Sequence, residues 1–468
     1  MSNDQSNPAF MPAHALRDAY DAGNLSPSDV VEAQLQRIDQ YEPQLAAFTE
    51  VYADDARKAA AAATDAIRGG WRVGPLHGIP IALKDLIEIK GRETKGGTAA
   101  NKGRISEYTA TLAARALQAG MIVIGKTHTV EFAMGGWGTN KGLGTPWNPW
   151  DGSAKRAPGG SSSGSGVATA AGFTTTAIGT DTGGSVRLPA AWCGHVGLKT
   201  SLGRISVHGV LPLAESLDSP GPMTRSVEDA ALLYVATSGP DLNDPLTYRP
   251  AYVDPMPALK HGVAGMRIAR MPDHDRAGVD AEVLAAYDEA LKLLEKAGAS
   301  VVSIELPEKL ADMADPLGQI IYAEGYAHYS HLIDDPDAPL DEDVRPRLAS
   351  GRTITSKDYL LAKRDQQRCI QAFHQAMADV DILLTPTTAT PAPVVDTIDQ
   401  KTTPALFTRA VNMAEMCACA VPVGFTKAGL PLSVQFVARY GAEDVALRAA
   451  WAYEQARGFT IGAPSMTP

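Results

Sequence analysis

The pattern of apolar and polar positions changes character near residue 70. Between residues 12 and 70, apolar residues recur at helical spacing, and SPSDVVEAQLQRIDQYEP adds a serine that can cap a helix and a proline beside it. Further on, short β-branched runs such as GIPIALKDLIEIKG alternate with helical patterns such as TATLAARALQAG. The pattern predicts a helical N-terminal region over 1–70, followed by alternating strands and helices.

The same alternation continues to the end of the chain with one interruption. The segments GMRIARM and DAEVLAAYDEALKLLEKAGASVVSIEL predict a strand, a helix and a strand, and DILLTPTT and LPLSVQFVARYG predict further strands. A polar, helix-rich stretch over about 305–380 is either a cap over a site or part of the outer helical layer. Because no repeat or linker divides the chain, we predict one α/β domain over 1–468, with helices on both faces of its sheet.

Composition and charge exclude several classes of partner. The chain has 42 basic and 53 acidic residues, a formal net charge of −11, and no dense Lys/Arg run, which argues against nucleic acid. No apolar run of about 18 residues predicts a membrane span, and no signal peptide is visible, so we expect a cytoplasmic protein. We interpret Cys417 and Cys419 as buried thiols, because no second pair of metal ligands follows them.

Two glycine- and serine-rich segments hold the candidate chemistry, APGGSSSGSGVATAAG and GTDTGGSVRLPAAWCG. Neither continues into the Lys-Ser/Thr pair of a phosphate-binding loop, and the scattered histidines contain no HExxH zinc motif. GSSSG fits a G-x-S-x-G elbow with Ser162 as nucleophile, but the preceding GSAKRAP is a poor strand and that motif needs one. The remaining arrangement is a serine nucleophile served by a lysine.

A lysine can activate a serine only when its amine is uncharged. Lys84 lies in the apolar run IPIALKDLIEI, where burial disfavours the cation, although a simple pairing with Asp85 is the alternative. In DTGGS, the N–H groups near Gly183 and Gly184 could converge on an oxyanion beside Ser185. A hydroxyl of GGSSSG could relay the proton to the amine. The alternative for both segments is a flexible turn.

Three segments together resemble the amidase signature family: GIPIALKD with Lys84, PGGSSSGSGVATAAG, and GTDTGGSVRLPAAWCGHVGLKTSLGRIS. The similarity continues through SLDSPGPMTRSVEDAALL and GLPLSVQFVARYGAEDVALRAA, so it covers most of the chain. The resemblance implies a large mixed β-sheet sandwiched between helical layers, a Ser–cisSer–Lys triad, and a hydrolase that needs no cofactor.

The resemblance also implies a role for each motif residue. Ser185 would be the acylated nucleophile, Lys84 the base, and Ser161 the bridging serine in a cis peptide bond. Ser162 and Arg187 would orient these groups, with Arg187 beside Lys84 to help keep the amine neutral. The oxyanion hole would consist of the backbone N–H groups of Thr182, Gly183, Gly184 and Ser185.

The predicted pocket is built from two further segments. EFAMGGWGTNKGLG offers Met134 and Trp137 as an apolar wall, and the helix-rich stretch offers Tyr322 and Tyr326. With few charges evident near the site, we expect a small-molecule substrate: a small to medium neutral amide, aryl amide or carbamate.

Two functions within the family compete. Glutamine-using members resemble N-x-A-G-x-P near FTRAVNMAEMCACAVPVGF, with an acid that grips the ammonium group. This chain has Ala405 at that place, seven residues before Asn412, and Glu415 and Cys417 replace the Gly and Pro. We therefore expect a free amidase, with the glutamine-hydrolysing subunit of a tRNA-dependent amidotransferase as the alternative. An inactive binding protein is disfavoured because all three triad positions are filled. Whether the chain forms a homodimer is left open.

Overall fold

A single mixed sheet forms the centre of the computed structural model, which describes residues 7–249, 251–306, 308–313 and 315–466. The strands are β1 (Phe48–Val51), β2 (Pro80–Lys84), β3 (Ile122–Thr127), β4 (Thr176–Asp181), β5 (Val196–Lys199), β6 (Ser219–Thr224), β7 (Arg267–Arg270), β8 (Ser300–Ser303), β9 (Ile382–Pro386), β10 (Cys417–Phe425) and β11 (Pro431–Ala438). Their order is β1-β3-β2-β4-β6-β5-β10-β11-β9-β7-β8. Strand β2 runs parallel to β3 and β4, β7 runs parallel to β8 and β9, and the other pairs are antiparallel.

Helices cover both faces of this sheet, which confirms the predicted α/β class. They are α1 (Ala13–Asp21), α2 (Pro27–Leu45), α3 (Ala53–Arg68), α4 (Thr111–Gln118), α5 (Ser163–Ala170), α6 (Arg187–Cys193), α7 (Val227–Thr237), α8 (Ala281–Lys296), α9 (Leu310–Met313), α10 (Asp315–Ile333), α11 (Val344–Ala349), α12 (Ser356–Ala376), α13 (Thr408–Met413) and α14 (Glu443–Ala456). Helices α5 and α6 pack together on one face, and α7, α8 and α14 pack on the other. Within the described ranges, no helix has the length and apolar character needed to cross a bilayer.

The N-terminal region follows the predicted helical pattern with one exception. Helix α2 begins at a capping box, in which the Ser26 hydroxyl accepts from the Asp29 N–H and the Asp29 carboxylate accepts from the Ser26 N–H. Pro27 occupies its first turn, as the sequence predicted. The exception is β1, a short strand between α2 and α3 that pairs antiparallel with β3. Four residues between two helices were too short a run for the periodicity to reveal.

Two parallel strands bring the motif segments to one edge of the sheet. Every residue of β2 and β4 is buried, as expected for parallel strands covered on both faces. Strand β2 ends at Lys84 and β4 ends at Asp181. Because the strands are parallel neighbours, their carboxyl ends meet, and the loop that carries Ser185 begins beside Lys84.

Small residues let helix α5 approach the sheet closely. A Cβ atom at Gly164 would lie 2.2 Å from the Ala47 carbonyl oxygen and 2.4 Å from the His128 nitrogen, so no larger residue fits there. Only the first half of the segment GVATAAGFTTTAIG is helical. Helix α5 ends at Ala170, and the β-branched residues that follow form β4.

Candidate active site

The structure joins Lys84 to the first of the two serine-rich segments. The Lys84 Nζ atom lies 2.8 Å from the Ser161 Oγ and 2.8 Å from the Thr180 Oγ1, and Lys84 is fully buried. The Gly160–Ser161 peptide bond is cis, as the resemblance implied. Asp85 does not pair with Lys84, because its carboxylate forms an ion pair with Lys126 at 3.0 Å. The simple pairing that the sequence left open is therefore wrong.

Burial decides the protonation of this lysine. It lowers the pKa of the Lys84 amine to about 7, although the negative charges of Asp218 and Asp181 act in the opposite direction. Much of the amine is then uncharged near neutral pH and can accept a proton from the Ser161 hydroxyl. Arg187 pairs with one of these carboxylates, Asp181, at 3.0 Å. That Arg187 helps to keep the Lys84 amine neutral stays a prediction.

Ser185 lies in the turn between β4 and α6, against the other serine-rich segment. Its carbonyl oxygen accepts a hydrogen bond from the Ser162 N–H at 3.3 Å, which ties the two segments together next to Ser161. The side chain reaches a small cavity, and its hydroxyl has no hydrogen-bond partner within the described part of the chain. Ser185 is thus held by its backbone while its hydroxyl remains available to attack a substrate.

The turn around Ser185 presents three of the four predicted oxyanion donors. The N–H groups of Thr182, Gly183 and Ser185 have no hydrogen-bond acceptor among the described residues. The Gly184 N–H is different, because it donates to the Asp181 Oδ1 atom at 2.8 Å. Its assignment to the oxyanion hole is therefore corrected. Glycine is still required at 184, where φ is +130° and a Cβ atom would lie 2.2 Å from the Thr408 hydroxyl.

Arg187 holds this turn through a buried ion pair. Its Nε and Nη2 atoms lie 3.0 Å from the two carboxylate oxygens of Asp181, and both side chains are fully buried. Burial alone would raise the pKa of Asp181, but Arg187 outweighs it and keeps the carboxylate charged. Arg187 also donates to Gln435 at 2.8 Å and to Asn412 at 2.6 Å, which anchors it to β11 and α13. Its role is to fix the Asp181 carboxylate that shapes the turn.

A second carboxylate, Asp218, braces the other end of the turn. It accepts a short hydrogen bond from the Thr182 hydroxyl, and the backbone N–H groups of Leu213 and Ala214 donate to it at 2.8 and 3.1 Å. Burial raises its pKa to about 6. The sequence motif SLDSPGP contained this residue, but nothing in the pattern showed that it would meet Thr182.

The cavity next to Ser185 has a volume of about 100 Å³. Met134 and Tyr322 line it, as the sequence predicted. The helix-rich stretch over 305–380 supplies part of the wall, through Tyr322 and Ile321 on α10 and Arg347 on α11. That position agrees with the interpretation of this stretch as a cap over a site.

Two predicted pocket residues lie elsewhere. Trp137 stacks on Trp192 with 5.7 Å between ring centroids and donates its indole N–H to the Thr402 carbonyl oxygen at 3.0 Å. The Tyr326 hydroxyl donates to the Asp334 carboxylate at 2.6 Å. Neither side chain lines the cavity. Both are corrected to packing and surface roles, because neither the loop sequence around Trp137 nor the helical sequence around Tyr326 reveals which way the aromatic side chain points.

Charged groups that the sequence missed also line the cavity. Arg347 on α11 and Arg409 on α13 both face it. The expectation of few charges near the site is therefore wrong. No local pattern marks these arginines, since each lies far along the chain from the glycine- and serine-rich motifs and reaches the site only through the fold.

Three consecutive serines have three different environments, which gives a matched series of variants. We expect Ser161→Ala to lower kcat/KM by roughly 10³-fold, because it removes the proton relay next to Lys84. Ser162→Ala should lower kcat/KM less, since the described hydrogen bonds of its hydroxyl are only those with the backbone N–H and carbonyl oxygen of Thr180, each at 3.3 Å. The buried Ser163 hydroxyl has no hydrogen-bond partner in the part of the chain that the structure describes, so Ser163→Ala should leave kcat/KM unchanged. Amide-hydrolysis kinetics test the series, and an equal loss in the 161 and 163 variants would contradict it.

Comparison with known proteins places this arrangement among related chains. Residues 29–447 match the protein family described as amidase. The A subunit of the glutamyl-tRNA(Gln) amidotransferase from Geobacter metallireducens is 35% identical, covering 95% of this chain and 96% of its own. The native peptide amidase of Stenotrophomonas maltophilia has a TM-score of 0.86 at 30% identity, covering 97% of this chain and 98% of its own. A solved chain from a vestigial protein complex that reveals the origins of an s-triazine catabolic enzyme has a TM-score of 0.89 at 31% identity, covering 97% and 100%.

Proposed function

The chain belongs to the amidase signature family of hydrolases that act on C–N bonds, and we propose that it cleaves a small amide or carbamate through an acyl-enzyme on Ser185. The observation that carries this proposal is the 2.8 Å contact between the buried Lys84 amine and the Ser161 hydroxyl, beside a turn with unengaged N–H groups. A weak hydroxyl nucleophile needs both a base and a site for the developing negative charge, and these groups can supply both.

The proposed reaction begins with uncharged Lys84. Its amine takes the Ser161 proton while Ser161 takes the proton of Ser185, whose oxygen attacks the substrate carbonyl carbon. The tetrahedral oxyanion accepts hydrogen bonds from the N–H groups of Thr182, Gly183 and Ser185. The lysine proton then returns through Ser161 to the leaving nitrogen, the C–N bond breaks, and an ester remains on Ser185. Water hydrolyses this ester by the same proton route.

The size of the cavity supports a small acyl group. Its volume of about 100 Å³ lies well below the range of roughly 300–1,000 Å³ that is usual for drug-sized ligands. Short aliphatic amides, small aryl amides and carbamates are the compounds that fit this constraint.

Glutamine hydrolysis for an amidotransferase is the second candidate. Its support is the 35% identity to amidotransferase subunits over nearly the whole chain. Against it, Ala405 lines the cavity where the resemblance places an acid, so no carboxylate stands there for the substrate ammonium group. Arg409, one helical turn further on, adds positive charge instead. We therefore favour an amidase that acts without a partner subunit.

A substrate panel on the purified chain separates the two functions. Aliphatic amides, aryl amides, carbamates and glutamine are compared by release of ammonia or amine, with the Ser185→Ala protein as the blank for contaminating activity. We expect turnover by the single chain and little hydrolysis of glutamine. Glutaminase activity that arises only when the other subunits of an amidotransferase are added would overturn the proposal in favour of the second candidate.

A further inference from the structure

Two guanidinium groups border the loops that surround Ser185. The Arg409 side chain runs beside the oxyanion turn, since a Cβ atom at Gly183 would lie 3.5 Å from its Cγ and 3.9 Å from its Nε. The Arg347 guanidinium flanks the other wall, since a Cβ atom at Gly135 would lie 3.7 Å from Nη1 and 3.8 Å from Nη2. Gly183, Gly135 and both arginines line the same cavity.

Neither arginine has a carboxylate partner among the described residues. The Arg347 Nε donates to the Asp343 carbonyl oxygen at 2.7 Å, which fixes the side chain and leaves Nη1 and Nη2 for another acceptor. Arg409 hydrogen-bonds with Tyr322, and the charge of Asp315 acts on it without forming an ion pair. Arg187 shows the contrast, because the chain itself neutralises that arginine with Asp181.

The two positive charges also act on each other. Burial lowers the pKa of Arg347, and the charge of Arg409 lowers it further. Asp341 and Asp343 oppose this effect, but both are engaged elsewhere: the Asp343 carboxylate lies 2.9 Å from the Lys141 amine, and Asp341 accepts the Lys141 N–H at 2.7 Å. Both arginines are half-buried, and two like charges that are partly withdrawn from water cost free energy unless an anion lies near them.

We propose that Arg347 and Arg409 form a carboxylate-binding subsite, and that the substrate is a small amide bearing a carboxylate and no ammonium group. The proposal rests on the function proposed above and deepens it. A planar guanidinium fork matches the two oxygens of a carboxylate. The absence of an ammonium group follows from Ala405, which offers no counter-charge in the cavity. This substrate class replaces the neutral one that the sequence suggested.

The rest of the wall indicates what joins the carboxylate to the amide. The cavity wall includes the larger apolar side chains of Met134, Leu188, Leu213 and Ile321, with polar side chains such as Gln400 and Thr402 beside them. A short aliphatic spacer packs well against the apolar side chains, whereas a second polar group would lose its hydration there. The monoamides of short dicarboxylic acids, such as succinamate and glutaramate, have this composition.

Pairs of substrates that differ only in charge test the subsite. Ammonia release is measured from succinamate and glutaramate and from their methyl esters, which keep the amide but lack the anion. We expect kcat/KM for each acid to exceed that of its ester by at least about tenfold, mainly through KM, as charge-assisted hydrogen bonds would provide. Equal values for acid and ester would overturn the subsite while leaving the amidase function in place.

Variants assign the effect to the two arginines. Arg347→Met and Arg409→Met should each lower kcat/KM for the acids by roughly ten- to a hundredfold and leave the esters unchanged. Arg409→Lys should restore part of the loss, because it keeps the charge without the planar fork. Arg364→Met is the matched control, since this exposed arginine on α12 does not line the cavity and should leave kcat/KM for acids and esters unchanged. An equal loss for acids and esters would contradict the proposal.

A labelling assay tests the subsite even if none of these amides is turned over. Ser185 is labelled with a neutral fluorophosphonate, and we expect succinate or glutarate to slow the labelling more than butyrate does in the unmodified protein. The same dicarboxylates should not protect the Arg347→Met and Arg409→Met proteins. Labelling of Ser185 without any dicarboxylate protection overturns the subsite alone. Failure of Ser185 to react at all would instead overturn the proposed nucleophile and function.

Discussion

Replacing Ser185 with alanine is expected to abolish amide hydrolysis, with a loss of kcat/KM on the order of 10⁶-fold. The oxyanion donors and the cavity remain in this variant, but no oxygen is left to form the acyl-enzyme. Folding should be unaffected, because the Ser185 hydroxyl has no hydrogen-bond partner within the described residues. The measurement is steady-state kinetics on the best substrate of the panel, together with the melting temperature.

Ser163→Ala is the matched control for this variant, because it removes a buried serine hydroxyl that also has no hydrogen-bond partner among the described residues. It should retain full activity and a similar melting temperature. Substantial activity in the Ser185→Ala protein would show that another group attacks the substrate, or that no covalent intermediate forms. Either result would remove the basis of the proposed mechanism.

Replacing Lys84 with methionine is expected to lower kcat/KM by roughly 10³- to 10⁴-fold and to remove its pH dependence. With the pKa of Lys84 near 7, the active, uncharged amine becomes more abundant as the pH rises through that value. The unmodified protein should therefore gain activity between about pH 6 and pH 8 and level off above. A flat profile for the unmodified protein between pH 6 and pH 10 would contradict the role of Lys84 as base.

The same variant has an expected signature in stability. The pKa of Lys84 falls from an ordinary value of 10.5 to about 7 in the folded protein, so the unfolded chain binds more protons between these values. This lysine therefore lowers the free energy of unfolding, and the destabilisation diminishes as the pH rises from about 7 to 10.5. The Lys84→Met substitution removes this destabilisation. The rise in melting temperature of Lys84→Met over the unmodified protein should be larger at pH 7 than at pH 10, and the reverse trend would contradict the buried neutral amine.

Much of the sheet could be predicted from local patterns. Runs such as IPIALK and ILLTP are continuously apolar because parallel or central strands are buried on both faces. Strands β1 and β6 could not be predicted in this way. The first is only four residues long, and the second, SPGPMT, contains two prolines and a glycine that are atypical of strands. Its pairing with β4 and β5 is a tertiary effect that overrides local propensity.

Lys84, Ser161 and Ser185 could be singled out as candidates because they lie in unusual local sequences, and the resemblance to the amidase signature family implied a role for each. A lysine within an apolar run and serines among glycines are informative without any knowledge of the fold. The residues that hold these side chains in position were harder to predict from the sequence. Asp181 belonged to the quoted motif GTDTGGS, yet its capture of the Gly184 N–H depends on the geometry of the turn. Asp218 and Arg409 reach the site from distant segments, so only the folded chain shows their charges there.

The most direct test of the proposed chemistry is the mass of the peptide that contains Ser185, isolated after acid quench during the first turnover of a good substrate. The account predicts that this peptide carries the substrate's acyl group and that the peptide containing Ser161 does not. The amount of acylated peptide should increase in parallel with the first release of amine. Release of amine while Ser185 stays unmodified, or an acyl group on a different residue, would contradict the account.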